Sequence, residues 1–154
     1  MLYFNKLNKM DTIHQLNAFN DVVGEFMEKM IKTFPEEKKL NIWYLHFKTS
    51  KAVSKGFPMK YVMESLKDLG YPILTKDERF FKKNEYVEYA EGFSEKTGLV
   101  NIWESTSDQV KDSIWQYMQS IYVLGMRCIG EQGTLNDVIT KIQNNTGDKN
   151  INCI

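Results

Sequence analysis

The chain has 154 residues, enough to bury one core without metals or disulfides, and its 20 basic residues are matched by 20 acidic ones. A formal charge of zero excludes a long-range field towards nucleic acid or an anionic membrane, leaving only local patches to serve such partners. Aromatic residues at 13% and eight methionines supply a large core and adaptable contact surface.

Residues 1–10, MLYFNKLNKM, carry little periodic pattern and read as a flexible N-terminal segment; broken by Asn and Lys, they do not form a signal peptide. From Asp11 the spacing predicts a helix, with Thr12 and Gln15 as a capping box. Ile13, Leu16, Phe19, Val23, Phe26, Met30 and Phe34 recur at steps of three and four and mark its buried face. Gly24 inside this run implies a close helix contact. Pro35 ends the helix and opens the next, with Glu36 and Glu37 in the first turn. The second helix carries Leu40, Trp43, Tyr44, Phe47 and Val53 as its core face and ends near Gly56. The short connection predicts an antiparallel hairpin. Pro58 opens a third helix with Tyr61, Val62, Leu66 and Leu69, closed by Gly70.

Between Tyr71 and Asn101 the pattern is weaker. Pro72 breaks the chain, TKDERFFKK at 75–83 reads as one or two turns pinned by Phe80 and Phe81, and Tyr86 to Phe93 reads as a short helix. The clearest helix is 106–129: Val110, Ile114, Tyr117, Met118, Ile121, Leu124 and Cys128 line one face, Trp115 and Tyr122 widen it, and Thr106 with Gln109 suggests its cap. So wide an arc demands contact with more than one neighbour. Gly130 and Gly133 end it, and a last helix over 134–144 shows Leu135, Val138, Ile139 and Ile142 on one face. The expected fold is all-α: a single bundle of about five to seven helices over residues 11–146, built around the helix at 106–129, with a flexible tail at 147–154.

Motifs for chemistry are absent. His14 and His46 fall on different helices, and Cys128 and Cys153 have no metal-ligand spacing, so both cysteines read as free thiols and no metal or cofactor is expected. Cys128 lies on an apolar stripe, as a small core residue does. The nine glycines form no phosphate-binding loop, and Asp77-Glu78 and Glu36-Glu37 read as helix-start charges, so no enzymatic activity is expected. No apolar run is long enough to span a bilayer. The candidate binding surface is basic: Lys48, Lys51 and Lys55 recur at helical steps, with Lys60 just beyond. Trp43, Trp103, Ile114, Trp115, Met118 and Ile121 are expected as core anchors, with the tryptophans able to anchor a partner groove instead.

Three segments carry a resemblance: FNDVVGEFMEKMIKTFPEEKKL at 19–40, ILTKDERFF at 73–81 and IWQYMQSIYVLG at 114–125. Together they resemble short helical proteins of large nucleocytoplasmic DNA viruses of algae and amoebae. The resemblance spans about residues 15–130 and rests on packing motifs; it implies a viral source and a helical fold and carries over no catalytic residue. The functional expectation is therefore a viral protein acting by protein contacts, in virion assembly or host interaction, within the cytoplasm of an infected cell or the virion and not secreted. The alternative is a nucleic-acid-associated protein of the virion or virus factory, using the lysine face.

Overall fold

A computed structural model describes the backbone of residues 2–82 and 92–146 and the side chains of residues 12–82 and 92–145. The expected tail at 147–154, Cys153 and nearly all of the expected helix at 86–93 lie outside these residues. In chain order the elements are α1 (Leu2–Thr33), α2 (Lys38–Val53), α3 (Phe57–Leu66), α4 (Gly70–Leu74), a 3-10 turn (Glu78–Phe81), α5 (Phe93–Thr97), α6 (Leu99–Ile102), a second 3-10 turn (Trp103–Ser105), α7 (Asp108–Cys128) and α8 (Gln132–Thr146). Among the described residues there is no strand, and the fold is an all-α bundle.

α7 is the axis of that bundle. It packs against α1, α3, α4 and α8, and this surround accounts for the width of its apolar arc. Ile114, Met118, Ile121 and Tyr122 are wholly buried, and Trp115 nearly so. Its cap differs from the expected capping box at Thr106. Ser107 is the N-cap and its hydroxyl accepts from the Val110 amide at 3.3 Å, while the Thr106 hydroxyl donates back to the Ile102 carbonyl at 2.5 Å. The second hydroxyl of a Thr-Ser pair thus starts the helix and the first closes the preceding turn. At the other end Gly130 takes a left-handed φ of 76°, and the Glu131 amide reaches back to the Met126 carbonyl at 2.8 Å. One such residue is enough to end the helix; Gly133 instead lies within the first turn of α8.

α1 lies along α7 and contributes Phe19, Val23, Phe26, Met27 and Met30 to the core. The helix includes Leu2, well before the expected start at Asp11, so no break separates residues 2–10 from the rest of it. Thr12, Ile13 and His14 are exposed, so among the described side chains the buried stripe begins at Phe19 and Ile13 is not part of it. α2 returns alongside α1 as the expected hairpin, with the Tyr44 hydroxyl donating to Glu28 at 2.5 Å. It begins at Lys38 with Glu37 as N-cap, its carboxylate accepting from the Lys39 amide at 3.3 Å; Pro35 stands in the turn before it. Leu40, Trp43 and Phe47 are buried, but Val53, expected on that face, is 76% exposed.

α3 starts as Pro58 predicts, but it ends at Leu66, and Gly70 opens α4. The reason is space. A Cβ at Gly70 would stand 2.1 Å from the Tyr122 hydroxyl oxygen and 2.5 Å from ring atom Cζ, so α4 can lie on α7 only through a residue without a side chain. Phe80 and Phe81 plug the 3-10 turn into the core as expected. Phe81 stacks on Trp103 at 4.1 Å between ring centroids, and Trp115 meets both edge-on at 4.8 and 5.5 Å. This aromatic cluster joins the turn, the segment before α7 and α7 itself.

Gly24 contrasts with Gly70. A Cβ there would meet its nearest neighbour, Phe47, at 3.9 Å, an ordinary contact, so the close approach expected at Gly24 is not one that requires glycine. Gly70→Ala is therefore expected to lose about 1–3 kcal/mol of stability by overpacking against a rigid ring. Gly24→Ala is expected to be neutral or to gain up to about 1 kcal/mol from helix propensity. Urea unfolding followed by circular dichroism separates the two signs.

Candidate functional site

The lysines singled out by sequence are all exposed, but they do not share one environment. Lys48 and Lys51 form one wall of a cleft of about 280 Å³ between α1 and α2, floored by Gly24, Tyr44 and Phe47. The opposite wall is acidic: Asp21, Glu25 and Glu28, at helical steps on α1, face them. Lys48 Nζ lies 4.6 Å from the centre of the Tyr44 ring and Lys51 Nζ 6.0 Å from that of Phe47, so both ammonium groups rest partly on aromatic faces. Lys55 lies past the end of α2, where its carbonyl accepts from the buried Asn20 amide at 2.9 Å and ties the α2–α3 connection to α1. Lys60 is on α3. A phosphate chain entering the cleft would meet three carboxylates along with two lysines, which works against the continuous cationic track that backbone binding uses.

Tyr44 is fixed in this cleft. Burial first, and its hydrogen bond to Glu28 second, push its phenol up to about 12 from the ordinary 10. A second cleft, of about 370 Å³, runs between α1 and α7. Here Glu25 accepts from the Tyr117 hydroxyl at 3.0 Å and pairs with Lys29 at 3.1 Å. The Lys29 hydrogen bond, then that of Tyr117, holds the Glu25 carboxyl below its usual range. It is therefore ionised at neutral pH and cannot serve as a proton donor.

The remaining chemical candidates stay apart from these clefts. His14 is exposed on α1; His46, on α2, has its ring edge-on to Tyr61 at 5.2 Å. Cys128 is half-buried and its thiol is pushed up by that burial, the opposite of what activates a nucleophile. No group of His, Cys, Asp and Glu able to hold a metal occurs among the described residues. Nor is any described helix long and apolar enough to cross a membrane. The three tryptophans divide: Trp103 and Trp115 belong to the interior aromatic cluster, whereas Trp43 packs with Phe47, Tyr61 and Phe93 beneath α2.

Comparison with protein-family models, curated proteins and solved structures finds no match to this chain.

The surface that sequence reasoning missed is the outward side of α2. Ile42 is 68% exposed and Leu45 61%, and they lead through exposed Thr49 to Ala52 and Val53 along the side of the helix opposite Leu40, Trp43 and Phe47. Beside Ile42 a socket of about 350 Å³ is lined by Trp43, His46, Tyr61 and Lys96. The signal was present: Ile42, Leu45, Thr49 and Ala52 follow steps of three, four and three, a second stripe on a helix already assigned one. The bulkier aromatic stripe masks it, and Val53 sits on the side of the second stripe and not on that of the first.

The raised Tyr44 phenol sets a sign for pH dependence. Its neutral form is favoured in the folded protein, so its contribution to stability is complete below pH 10 and lost as pH rises through about 12. Between those limits the wild type is expected to lose more stability in urea titrations than Tyr44→Phe. Ultraviolet difference titration is expected to lack the phenolate component near pH 12 in the variant.

Proposed function

We propose that this chain acts by contact with another protein, without catalysis of its own, and that the outward face of α2 makes the contact. The observation that supports this reading most is the line of exposed aliphatic residues there, Ile42, Leu45 and Val53. An isolated exposed aliphatic residue needs no explanation, but Ile42 and Leu45 together beside an apolar socket, with Val53 further along the same side of the helix, match the surface that partner helices use. The core does not need these residues, since α2 is already anchored from its other side by Leu40, Trp43 and Phe47. On the resemblance to helical proteins of large DNA viruses, we place the partner among virion or host proteins and the site of action in the infected cell or the virion. The reading as a nucleic-acid-associated protein is weakened by the acidic wall of Asp21, Glu25 and Glu28 opposite Lys48 and Lys51.

Full-length protein carrying Ile42→Ser and Leu45→Ser is expected to melt within a few degrees of the wild type, because both side chains are exposed. Affinity capture from infected cells is expected to recover a protein partner with the wild type and lose it with the double variant. Recovery independent of these two residues would overturn the assignment to α2. Salt-dependent retention on DNA or RNA, abolished by changing Lys48, Lys51 and Lys55 to Glu, would move the function to the lysine face.

A further inference from the structure

We infer that the occupant of the α2 face is a single amphipathic helix whose aliphatic seam is flanked by Asp and Glu; this rests on the protein-contact reading above and names the chemistry of the partner. The spacing along the face comes first. Ile42, Leu45, Thr49 and Ala52 stand at alternating steps of three and four, the rhythm of the positions that meet a second helix packed along the same axis, with Lys38 one step earlier in register. All five are exposed, so no element of the bundle covers the seam among the described residues. The Ile42 end of the seam adjoins the socket lined by Trp43, His46, Tyr61 and Lys96, which is large enough to receive one bulky apolar side chain from the incoming helix.

Charge then selects the partner. α2, KKLNIWYLHFKTSKAV, contains four lysines and no acidic residue. The positions that flank the seam include Lys48 on one side and Lys39 and His46 on the other, and Lys96 closes the socket. Lys39 is paired with Glu95 at 3.7 Å, and Lys48 faces the acidic wall of α1; Lys38 and Lys96 enter no ion pair among the described residues. Lys96 instead sits 5.6 Å over the Tyr61 ring at the edge of the socket. A second copy of the chain laid on the seam would bring lysine beside lysine with no carboxylate from either α2 to offset it, so self-pairing is opposed. A helix with carboxylates beside its aliphatic residues is attracted by the unpaired Lys38 and Lys96 at the Ile42 end of the seam and drawn in there during encounter.

Two synthetic helices of about three heptads test this against the full-length protein, both with Ile and Leu in the seam and differing only in Glu or Lys at the flanking positions. Isothermal titration is expected to give saturable binding of the Glu-flanked helix, at least about tenfold weaker binding of the Lys-flanked one, and several-fold loss when salt is raised from about 0.05 to 0.5 M. Ile42→Ser with Leu45→Ser is expected to weaken the Glu-flanked helix by at least about tenfold while circular dichroism melting stays near that of the wild type. Equal binding of the two helices would overturn the charge selection, and binding by neither, or binding indifferent to the double variant, would overturn docking on this seam. Sedimentation showing a dimer that the double variant dissolves would overturn it in favour of a second copy. If both synthetic helices fail while cellular capture still depends on Ile42 and Leu45, only the acidic-helix inference falls; if capture is also indifferent to them, the protein-contact reading of α2 falls too.

Discussion

The architecture depends on the complete enclosure of α7. A helix presenting Ile114, Trp115, Met118, Ile121 and Tyr122 has apolar surface around too much of its circumference to be covered by one neighbour, and four helices close on it. Enclosure of that kind requires close approach at particular points, and the chain supplies it with glycines. α4 meets Tyr122 through Gly70, and α7 meets α3 through Gly125, where a Cβ would stand 2.1 Å from the Met63 sulfur. The two cases differ in consequence, because a methionine side chain can move aside and a buried phenol ring cannot. Phe80 and Phe81 of the 3-10 turn and Trp103 before α7 close on Trp115 and fill the sheath between α4 and α7, whereas α5 packs against α2 and α3.

With the core sealed in this way, the polar features of the surface sort by whether they satisfy one another. Glu25, Lys29 and Tyr117 form a closed set between α1 and α7; Tyr44 and Glu28 form another between α1 and α2. The Glu25 carboxylate, held ionised by Lys29 and Tyr117, and the Tyr44 phenol, held neutral by burial, are poorly placed for proton transfer near neutral pH. The outward side of α2 is different in kind: its apolar groups are covered by nothing among the described residues and its charges are of one sign.

Much of the helical framework was legible because periodicity reports which residues share a face. The stripes of α1 from Phe19 onward, of α2 and of α7 are of this kind, as are Phe80 and Phe81, whose adjacency on a polar segment implies a pinned turn. Periodicity does not report whether a face has a neighbour. Ile13 continues the α1 stripe by spacing yet is 47% exposed, and Val53, on the same helix as Trp43, lies on the outward side with Ile42. Helix ends are not legible where two residues compete for one role, as Thr106 and Ser107 do, or where a glycine is needed for space, as Gly70 is. The acidic wall opposite Lys48 and Lys51 could not be read from α2 alone, since its residues come from α1 and only the hairpin brings them across.

The charge pattern of α2 has an energetic corollary for the segment in isolation. A sixteen-residue helix with four cations, no anions and β-branched or aromatic residues through its middle gains nothing from internal ion pairs and is too short to hold its shape unaided. Its helicity is lent by the seating of Leu40, Trp43 and Phe47 in the body of the protein. The outer seam is thus a conformational epitope: a peptide copy would not display it, and any binder that grips it is at the same moment sensing that the domain behind it is folded.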